Sequence, residues 1–376
     1  MIRFGTAADI ETLVYIEERS FDQTDRLSRR NFRYLLTKAH GDLLVAEKEG
    51  LVRGYAAVLL SAGTALARLY SFAVEEESRQ HGIGNALLEA AENLAEKSGG
   101  ACLRTEVRKD NDPTCRLLKR RSYRRFGVLL AYYDDDMDAL RYEKTVASPH
   151  EESLRVPYYQ QTLDFTCGPA ALMMAMQALD PGIVLNRKLE TRLWRESTTI
   201  FMTSGHGGCG PYGMALSAYH RSFDVEVYLN TATSLFIDSV RSPEKKVVMR
   251  LVEEDFLEEI RSSSILVHDN GVSLGELEER FRDGWIPVVL ISSYRIYQEK
   301  FPHWLVVTGF DERYIYVHDP LVESERGITF VDRVNMPIPK KEFERMTRYG
   351  KVGQKAALVL RKKATVPNTL PPRTTP

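Results

Sequence analysis

The sequence has the thiol, imidazole and carboxylate that together make a cysteine nucleophilic. They lie at three distant positions, Cys167, His303 and Asp319. Cys167 opens an apolar run in which Pro169 suits the first turn of a helix, and Gly168 is expected to keep the approach to the sulfur open. A helix N-terminus and a nearby imidazolium both favour the thiolate, which is the attacking species. The alternative interpretation is a buried free cysteine that packs as a small apolar residue.

The imidazole and the carboxylate lie on two apolar runs that predict a β-hairpin. If its turn centres between Asp311 and Glu312, His303 lies across from Pro320 and beside Asp319. A carboxylate there would hold the imidazole tautomer that takes or shares the thiol proton. The alternative is a strand-end histidine and an unrelated turn-forming aspartate.

A side-chain amide lies six residues before the cysteine. Gln161 could join the Cys167 backbone N–H in an oxyanion hole, and its neighbour Gln160 could take the same role. For either glutamine, a plain polar edge residue is the alternative. A second Cys-Gly-Pro sequence begins at Cys209 inside the glycine-rich run 204–213, so Cys209 could be the nucleophile instead. We favour Cys167 because only it follows such a glutamine.

These residues resemble the papain-like bacteriocin-processing peptidases, which cleave leader peptides after a double glycine. The matching features are Gln161 ahead of Cys167, followed in order by His303 and Asp319, over roughly residues 154–340. The resemblance implies an α+β papain-like cysteine peptidase fold, a Cys-His-Asp triad and a peptide or protein substrate. Hydrolysis and transfer of an acyl or amide group both remain open for the thiol.

A second candidate site lies where a predicted strand ending at Val74 runs into a glycine turn that opens a helix. Gly82 and Gly84 allow the backbone to approach an anion closely. The amides of a helix N-terminus favour negative charge. The turn therefore suits a pyrophosphate, although the glycines could serve turn geometry alone.

The pattern Arg/Gln-x-x-Gly-x-Gly resembles the phosphate loop of the GNAT (general N-acetyltransferase) superfamily. The segment from Glu106 resembles the strand end of ribosomal-protein alanine acetyltransferases. Over residues 1–145 the resemblance implies an α/β fold with a mixed central sheet, acetyl-CoA as co-substrate, and Glu106 as the base acting through water. A solvated strand-end carboxylate is the alternative for Glu106. The coenzyme contacts that the resemblance implies are Val74, Arg79, Gln80, Gly82, Gly84, Asn85 and Asn111.

One feature of this family is absent, the tyrosine that usually protonates the leaving thiolate. Aligned on Asn111, its position is Leu118, which has no proton to donate. Tyr123 or the pair Tyr132-Tyr133 could substitute, or the thiolate could leave unaided. A domain that binds acyl-CoA without turnover is the remaining possibility.

The composition indicates an ordinary globular protein, with 376 residues, 43% hydrophobic and 27% charged, and a net charge of −1. The near-zero charge disfavours nucleic-acid binding, and the lack of a long apolar segment or leader predicts a cytoplasmic protein without a membrane partner. Four scattered cysteines predict free thiols, and no Cys/His spacing indicates a metal.

The domain organisation follows from a polar, proline-broken stretch in the middle of the chain. We predict an α/β GNAT-like domain at 1–145, a linker at 146–153, an α+β peptidase-like domain at 154–364 and a flexible tail at 365–376. In the second domain the helices come early and the strands late, which predicts an antiparallel sheet. The functional hypothesis is a bifunctional acetyltransferase and cysteine peptidase. The alternative is a peptide-binding or acyl-CoA-sensing regulatory protein.

Overall fold

The computed structural model places two sheets on one chain, each with its own helices. Most of the expected linker (147–151) and the whole expected tail (365–376) lie outside the described residues. None of the helices within the described ranges is both long and apolar enough to cross a membrane. The structure describes residues 1–146, 152–153, 156–198, 207–230, 235–237, 240, 242–323, 330–350 and 352–363.

The first sheet is mixed, as predicted. Its described strands follow the order β1-β2-β3-β4-β5-β7-β6, and all neighbours are antiparallel except β4 and β5. Its strands are β1 (Ile2–Phe4), β2 (Gly41–Lys48), β3 (Leu51–Leu60), β4 (Leu66–Val74), β5 (Cys102–Arg108), β6 (Arg124–Leu129) and β7 (Ala139–Thr145).

Amphipathic helices cover this sheet. The longest, α3, buries Leu87, Leu88 and Ala91 in the core that it shares with the strands, because these residues recur at helical spacing. The helices are α1 (Ile10–Ser20), α2 (Arg29–Thr37), α3 (Ile83–Lys97) and α4 (Asp112–Arg120).

The two parallel strands of this sheet separate along their length. Residues 66–68 pair with 102–104, whereas the C-terminal parts of β4 and β5 make no pairs with each other. A parallel pair that opens in this way leaves backbone groups and side chains facing a cleft. Glu106, the candidate base of the acetyltransferase-like domain, lines this cleft.

The second sheet has the order β10-β9-β15-β11-β12-β13-β14, with a two-residue strand, β8, added beside β12. The predicted antiparallel sheet was wrong at one edge, where β10 runs parallel to β9. A long helix (Pro243–Arg261) connects these two strands and returns the chain in the same direction. The strands are β8 (Glu152–Ser153), β9 (Phe223–Leu229), β10 (Leu266–His268), β11 (Ile286–Ser292), β12 (Pro302–Phe310), β13 (Tyr314–His318), β14 (Met336–Pro339) and β15 (Ala356–Lys362).

A helix that is apolar on all sides lies at the centre of the second domain. Residues 170–176 of α5 are at most 1% exposed, as expected for a helix without a polar face. This helix packs on β11, β12 and β15. The helices here are α5 (Cys167–Leu179), α6 (Arg187–Ser197), α7 (Pro211–Tyr219), α8 (Pro243–Arg261), α9 (Leu274–Arg282), α10 (Tyr294–Tyr297) and α11 (Lys340–Met346).

The two domains share a buried surface. Leu66 and Cys102 of the first sheet belong to the same apolar cluster as Phe310 of the second. Hydrogen bonds cross beside this cluster, from the Tyr314 hydroxyl to the Gly99 carbonyl (3.0 Å) and from the backbone of residue 65 to that of residue 337 (2.6 Å). The chain therefore forms an extended contact between its two domains.

Candidate active sites

Cys167 is the first residue of α5, as the sequence predicted, and is partly accessible. Its helix packs against β12, the strand that carries His303. The His303 ring Nε2 lies 2.6 Å from Asp319 Oδ1. The other ring nitrogen, Nδ1, is thereby left for the Cys167 sulfur, which lies near enough to contribute to the raised pKa of His303. The structure thus brings the three predicted residues together.

Burial and charge act against each other in this group. Burial disfavours charge on His303, but the Asp319 carboxylate and the Cys167 sulfur outweigh it and raise the imidazole pKa to about 10. The pKa of Asp319 is lowered despite complete burial, chiefly by His303. An imidazolium paired with a carboxylate is therefore the favoured state beside the thiol.

Residues that the sequence analysis missed hold the Asp319 carboxylate. The Tyr297 hydroxyl donates to Oδ2 (2.5 Å), and the Leu321 backbone N–H donates to Oδ1 (2.9 Å). The Arg333 guanidinium lies 3.9 Å from Oδ2. Tyr297 and Arg333 come from separate elements, and no motif or spacing links them to Asp319 in the sequence.

The predicted hairpin is present, but its predicted register was wrong. The turn lies one residue later than predicted, so Phe310 pairs with Ile315, two residues from its predicted partner. A bulge at Thr308 takes up one extra residue, and beyond it Val306 pairs with His318, one residue from the prediction. Asp319 still reaches His303, because it follows the last residue of β13, where side chains no longer alternate between faces.

Gln161 lies in the same part of the structure as Cys167, His303 and Asp319. Its backbone N–H donates to the carbonyl of Pro320, the residue after Asp319 (2.9 Å). One side-chain N–H donates to the Leu163 carbonyl (2.9 Å), and the amide Oε1 is buried without a hydrogen bond. Gln160, the alternative, is exposed. The oxyanion role of Gln161 stays a prediction.

A fully buried carboxylate fixes the loop that leads to Cys167. Glu190 accepts hydrogen bonds from the Thr162 backbone (2.7 Å) and hydroxyl (2.6 Å), the Thr166 hydroxyl (2.5 Å) and the Tyr159 hydroxyl (3.0 Å). Sequence reasoning missed this residue, because Glu190 sits in an ordinary helical pattern. Four donors from one loop on a single acidic side chain hold the helix start in place.

Gly168 has a role that differs from the expectation, whereas Cys209 is buried. A Cβ on Gly168 would lie 3.0 Å from Met214 Sδ and 3.3 Å from Cys209 Cβ, so this glycine permits close packing instead of opening the approach to the sulfur. Cys209 is 3% exposed, and burial raises its pKa well above the usual value. Of these two cysteines, Cys167 is the accessible one, and its role as the nucleophile stays a prediction. Residues 204–206 of the glycine-rich run lie outside the described residues.

The first domain has a cleft of about 840 Å³ where β4 and β5 separate, and Glu106 and Asn111 both line it. Glu106 is not solvated, since its side chain is 6% exposed and forms two ion pairs. Arg68 Nη2 lies 2.7 Å from Oε2, and Arg141 Nη2 lies 2.8 Å from Oε1. The structure places the candidate base beside an open cleft.

The glycine turn has the backbone shape expected at a helix start. Gly82 precedes α3 with φ +81°, and Gln80 also has a positive φ, +64°. A Cβ on Gly84 would lie 3.3 Å from the Phe72 ring, so this position also requires a small residue for packing. The turn lies outside the lining of the cleft.

Several of the expected coenzyme side chains bond to the protein itself. Arg79 donates to the carbonyl that ends β4 (3.1 Å), Asn85 accepts from Arg121 (3.2 Å), and Asn111 caps α4 by accepting from the Thr114 N–H (3.2 Å). Of these side chains, only Asn111 lines the cleft. The backbone amides of the turn are the groups best suited to a phosphate.

The tyrosines that could replace the missing one differ in whether they reach the cleft. Leu118 is 1% exposed and part of the core. Tyr123 is buried and lies outside the cleft lining, whereas Tyr132 and Tyr133 both line the cleft. The Tyr132 hydroxyl accepts a hydrogen bond from Arg68 (3.1 Å), the same residue that holds the candidate base.

In the described part of the chain, no three His, Cys, Asp or Glu side chains form a group suited to a metal ion.

Comparisons with known proteins agree with this division. The model of the Peptidase_C39 like family matches residues 156–361, and that of the Acetyltransferase (GNAT) family matches residues 9–123. No curated protein matches the chain.

The similar solved structures each match about 40% of this chain, which is about the length of its first domain. Ard1 from Thermoplasma volcanium is 27% identical, over 39% of this chain and 98% of that chain, with a TM-score of 0.36. The ribosomal-protein-S18-alanine N-acetyltransferase from Escherichia coli is 22% identical, over 40% and 97%, with a TM-score of 0.36. The structure of yncA from Salmonella typhimurium with its cofactor acetyl-CoA is 17% identical, over 40% and 95%, with a TM-score of 0.36. Because the first family model spans more than half of the 376 residues, the chain belongs to the Peptidase_C39 like family, and it carries a GNAT domain ahead of that region.

Proposed function

We propose that the chain is a bifunctional enzyme, an acetyl-CoA-dependent N-acetyltransferase joined to a cysteine peptidase that acts on peptides. The observation that carries the peptidase half is the buried His303–Asp319 pair beside Cys167 at the start of α5. This arrangement provides an accessible sulfur, a base that shares its proton and a carboxylate that fixes the base.

In the proposed peptidase reaction, Cys167 attacks the scissile carbonyl as a thiolate, and the C–N bond breaks after a tetrahedral intermediate. The His303 imidazolium gives its proton to the departing amine, and Asp319 keeps the ring in place. Water then attacks the thioester while His303 takes one of its protons, and the C–S bond breaks to release the carboxylic acid product and the Cys167 thiolate. The N–H donors expected at the oxyanion are the Cys167 backbone and the Gln161 amide.

Alkylation of the native protein tests this half. Iodoacetamide should label Cys167 faster than the three buried cysteines, and His303→Ala should slow the labelling of Cys167 itself. Equal labelling of all four cysteines would contradict the proposal. A peptide trapped on Cys167→Ser would identify the substrate. Turnover in H₂¹⁸O distinguishes hydrolysis, which puts ¹⁸O into the new carboxylate, from transfer to another amine, which does not.

In the proposed acetyltransferase reaction, the acceptor amine attacks the acetyl carbonyl and the CoA thiolate leaves. Glu106 takes a proton from the acceptor ammonium through water, because it lines the cleft in which a substrate could lie. The thiolate is protonated by Tyr132 or Tyr133, or leaves without help. Backbone amides at the start of α3 would hold the pyrophosphate.

Calorimetry tests coenzyme binding. Acetyl-CoA should release or absorb heat with the wild type, and Gly82→Glu should weaken binding by placing a carboxylate at the anion site. Gly50→Glu is the matched control, because Gly50 is also exposed, has φ +76° and has free space around its Cβ position. No heat with the wild type would refute the coenzyme assignment.

A second candidate function, an acyl-CoA sensor without turnover, is favoured by Leu118 alone. Two variants separate the possibilities once binding is shown. Glu106→Gln and Tyr132→Phe should each lower acetyl transfer to a peptide amine while leaving acetyl-CoA binding within a few-fold. If acetyl-CoA binds but no CoA is released in the presence of any acceptor amine, the result would instead support the sensor.

A further inference from the structure

Arg333 faces the Asp319 carboxylate, and the residues before and after Arg333 both contact the GNAT domain. Arg141 Nη2 of β7 contacts Asp332 Oδ1 (3.0 Å), and Arg104 Nη2 of β5 donates to the Val334 carbonyl (3.1 Å). Arg333 lies between these two anchors. We call residues 332–334 the bridging segment.

Arg333 turns from the bridging segment towards Asp319. Its backbone carbonyl accepts the Asp319 N–H (3.0 Å), and its guanidinium lies 3.9 Å from Asp319 Oδ2. The guanidinium also stacks over the Tyr297 ring at 4.7 Å, and the Tyr297 hydroxyl donates to the same carboxylate oxygen. Arg333 is 4% exposed, so few other positions are open to it.

We propose that Arg141 and Arg104 of the GNAT domain are positioning residues for the thiol site, acting through the bridging segment on Asp319. The proposal deepens the peptidase function proposed above and rests on it. The argument is geometric, because two adjacent contacts from one domain fix the backbone on either side of the single arginine that faces the carboxylate.

Arg141 also contacts the candidate base of the other site. Its Nη2 lies 2.8 Å from Glu106 Oε1 and 3.0 Å from Asp332 Oδ1, and its side chain is 1% exposed. One buried guanidinium is thus shared between a carboxylate of each domain. Any change that draws Arg141 towards one carboxylate weakens its hold on the other, so the coupling between the two sites must be reciprocal.

The main test is Asp332→Asn in the full chain, which preserves shape and removes the charge that Arg141 contacts. The readout is the pH dependence of Cys167 alkylation by iodoacetamide. We expect the rate to fall roughly three- to tenfold, in the range of measured couplings within ion-pair networks. We also expect the high-pH limb to move to lower pH, since a looser Asp319 supports the His303 imidazolium less. The other titratable or charged groups near this pair are Cys167, Tyr158, Tyr297, Glu323 and Arg333.

Glu342→Gln is the matched control, because it removes an acidic charge from the same domain, where Glu342 pairs with Arg295 and Arg345 near the surface. It should leave the alkylation profile unchanged. Arg104→Gln removes the second anchor and should act in the same direction as Asp332→Asn. Circular dichroism verifies that each variant is folded.

A second readout separates failure of this proposal from failure of the peptidase function. The titration of the His303 ring by NMR, assigned with His303→Gln, reports on the Asp319 contact without any thiol chemistry. It should shift to lower pH in Asp332→Asn. A folded Asp332→Asn protein whose His303 titration matches the wild type would overturn the positioning role. An unreactive wild-type Cys167 would instead overturn the peptidase proposal.

Discussion

The histidine next to the triad carboxylate should make the second domain sensitive to acid. His318 is 1% exposed, and both nitrogens of its ring form hydrogen bonds. Nδ1 accepts the Asn335 backbone N–H (2.9 Å), so Nε2 carries the proton and donates to the Val156 carbonyl (2.9 Å). A proton on Nδ1 would abolish the first contact and place a charge in the core.

The size of the effect follows from the two protonation states. Burial lowers the pKa of His318 from 6.5 to about 4, so the unfolded chain binds the proton more readily. The stabilisation is complete above pH 6.5 and is lost as the pH falls towards 4. At about 1.4 kcal/mol per pH unit, the full loss is about 3 kcal/mol, of which about 2 kcal/mol is lost at pH 5.

Urea denaturation followed by tryptophan fluorescence measures this loss, because all three tryptophans lie in the second domain, beyond residue 190. His318→Gln keeps a donor and an acceptor but does not titrate, so its free energy of unfolding should fall less between pH 7 and pH 5, by about 2 kcal/mol. His220→Gln is the control, since His220 is half exposed beside Glu259. Equal pH dependence in the wild type and His318→Gln would refute the reasoning.

Three further substitutions test the surroundings of the thiol. Glu190→Ala should lower the free energy of unfolding by about 3 kcal/mol, because four hydrogen bonds lose their buried acceptor; an unchanged denaturation midpoint would contradict this. Tyr297→Phe should slow alkylation of Cys167 roughly tenfold, because the triad carboxylate loses a hydroxyl donor; equal rates would argue against it. Gly168→Ala should lower the free energy of unfolding by about 1–3 kcal/mol, because the new methyl group would lie 3.0 Å from a methionine sulfur. Gly275→Ala is the control, because Gly275 lies on a helix with open space around its Cβ position, and it should not lower the free energy of unfolding.

The sequence was most informative where the signal was local. Pro169 after Cys167-Gly168 marked the start of α5 to within two residues, and alternating apolar residues around a turn predicted the hairpin between His303 and Asp319. These signals depend on a few neighbouring residues, so a single chain reveals them. The register prediction was wrong because the turn lies one residue later than expected, and neither this shift nor the bulge that partly offsets it leaves a distinct mark in the sequence.

Residues that support the site from a distance were not predictable. Glu190, Tyr297 and Arg333 belong to different elements, and only the folded chain brings them near Cys167 or Asp319. A buried glutamate looks like any surface glutamate on an amphipathic helix when only the sequence is known. Such side chains become identifiable once their hydrogen-bond partners are seen.

Motif comparison and structure complement each other at the acetyltransferase cleft. Alignment on Asn111 showed that Leu118 replaces a tyrosine, but it could not say which other tyrosine reaches the cleft. The connection between β6 and β7 carries Tyr132 and Tyr133 into it, whereas Tyr123 packs in the core. The path of a loop decides this, and sequence distance from the motif does not.

The polar contacts between the domains determine their relative orientation. Arg104 and Arg141 are 3% and 1% exposed. The second domain provides a hydrogen-bond acceptor for each of them, the Val334 carbonyl for Arg104 and the Asp332 carboxylate for Arg141. A shift of a few ångströms would remove these acceptors and leave each buried guanidinium with the carboxylate of its own domain, Glu143 for Arg104 and Glu106 for Arg141. The apolar cluster around Leu66 provides contact area that would tolerate sliding, but the arginines would not. Because Arg141 is shared between Glu106 and Asp332, a ligand that changes its position at one site also changes its contact at the other, which is the physical condition for the two sites to respond to each other.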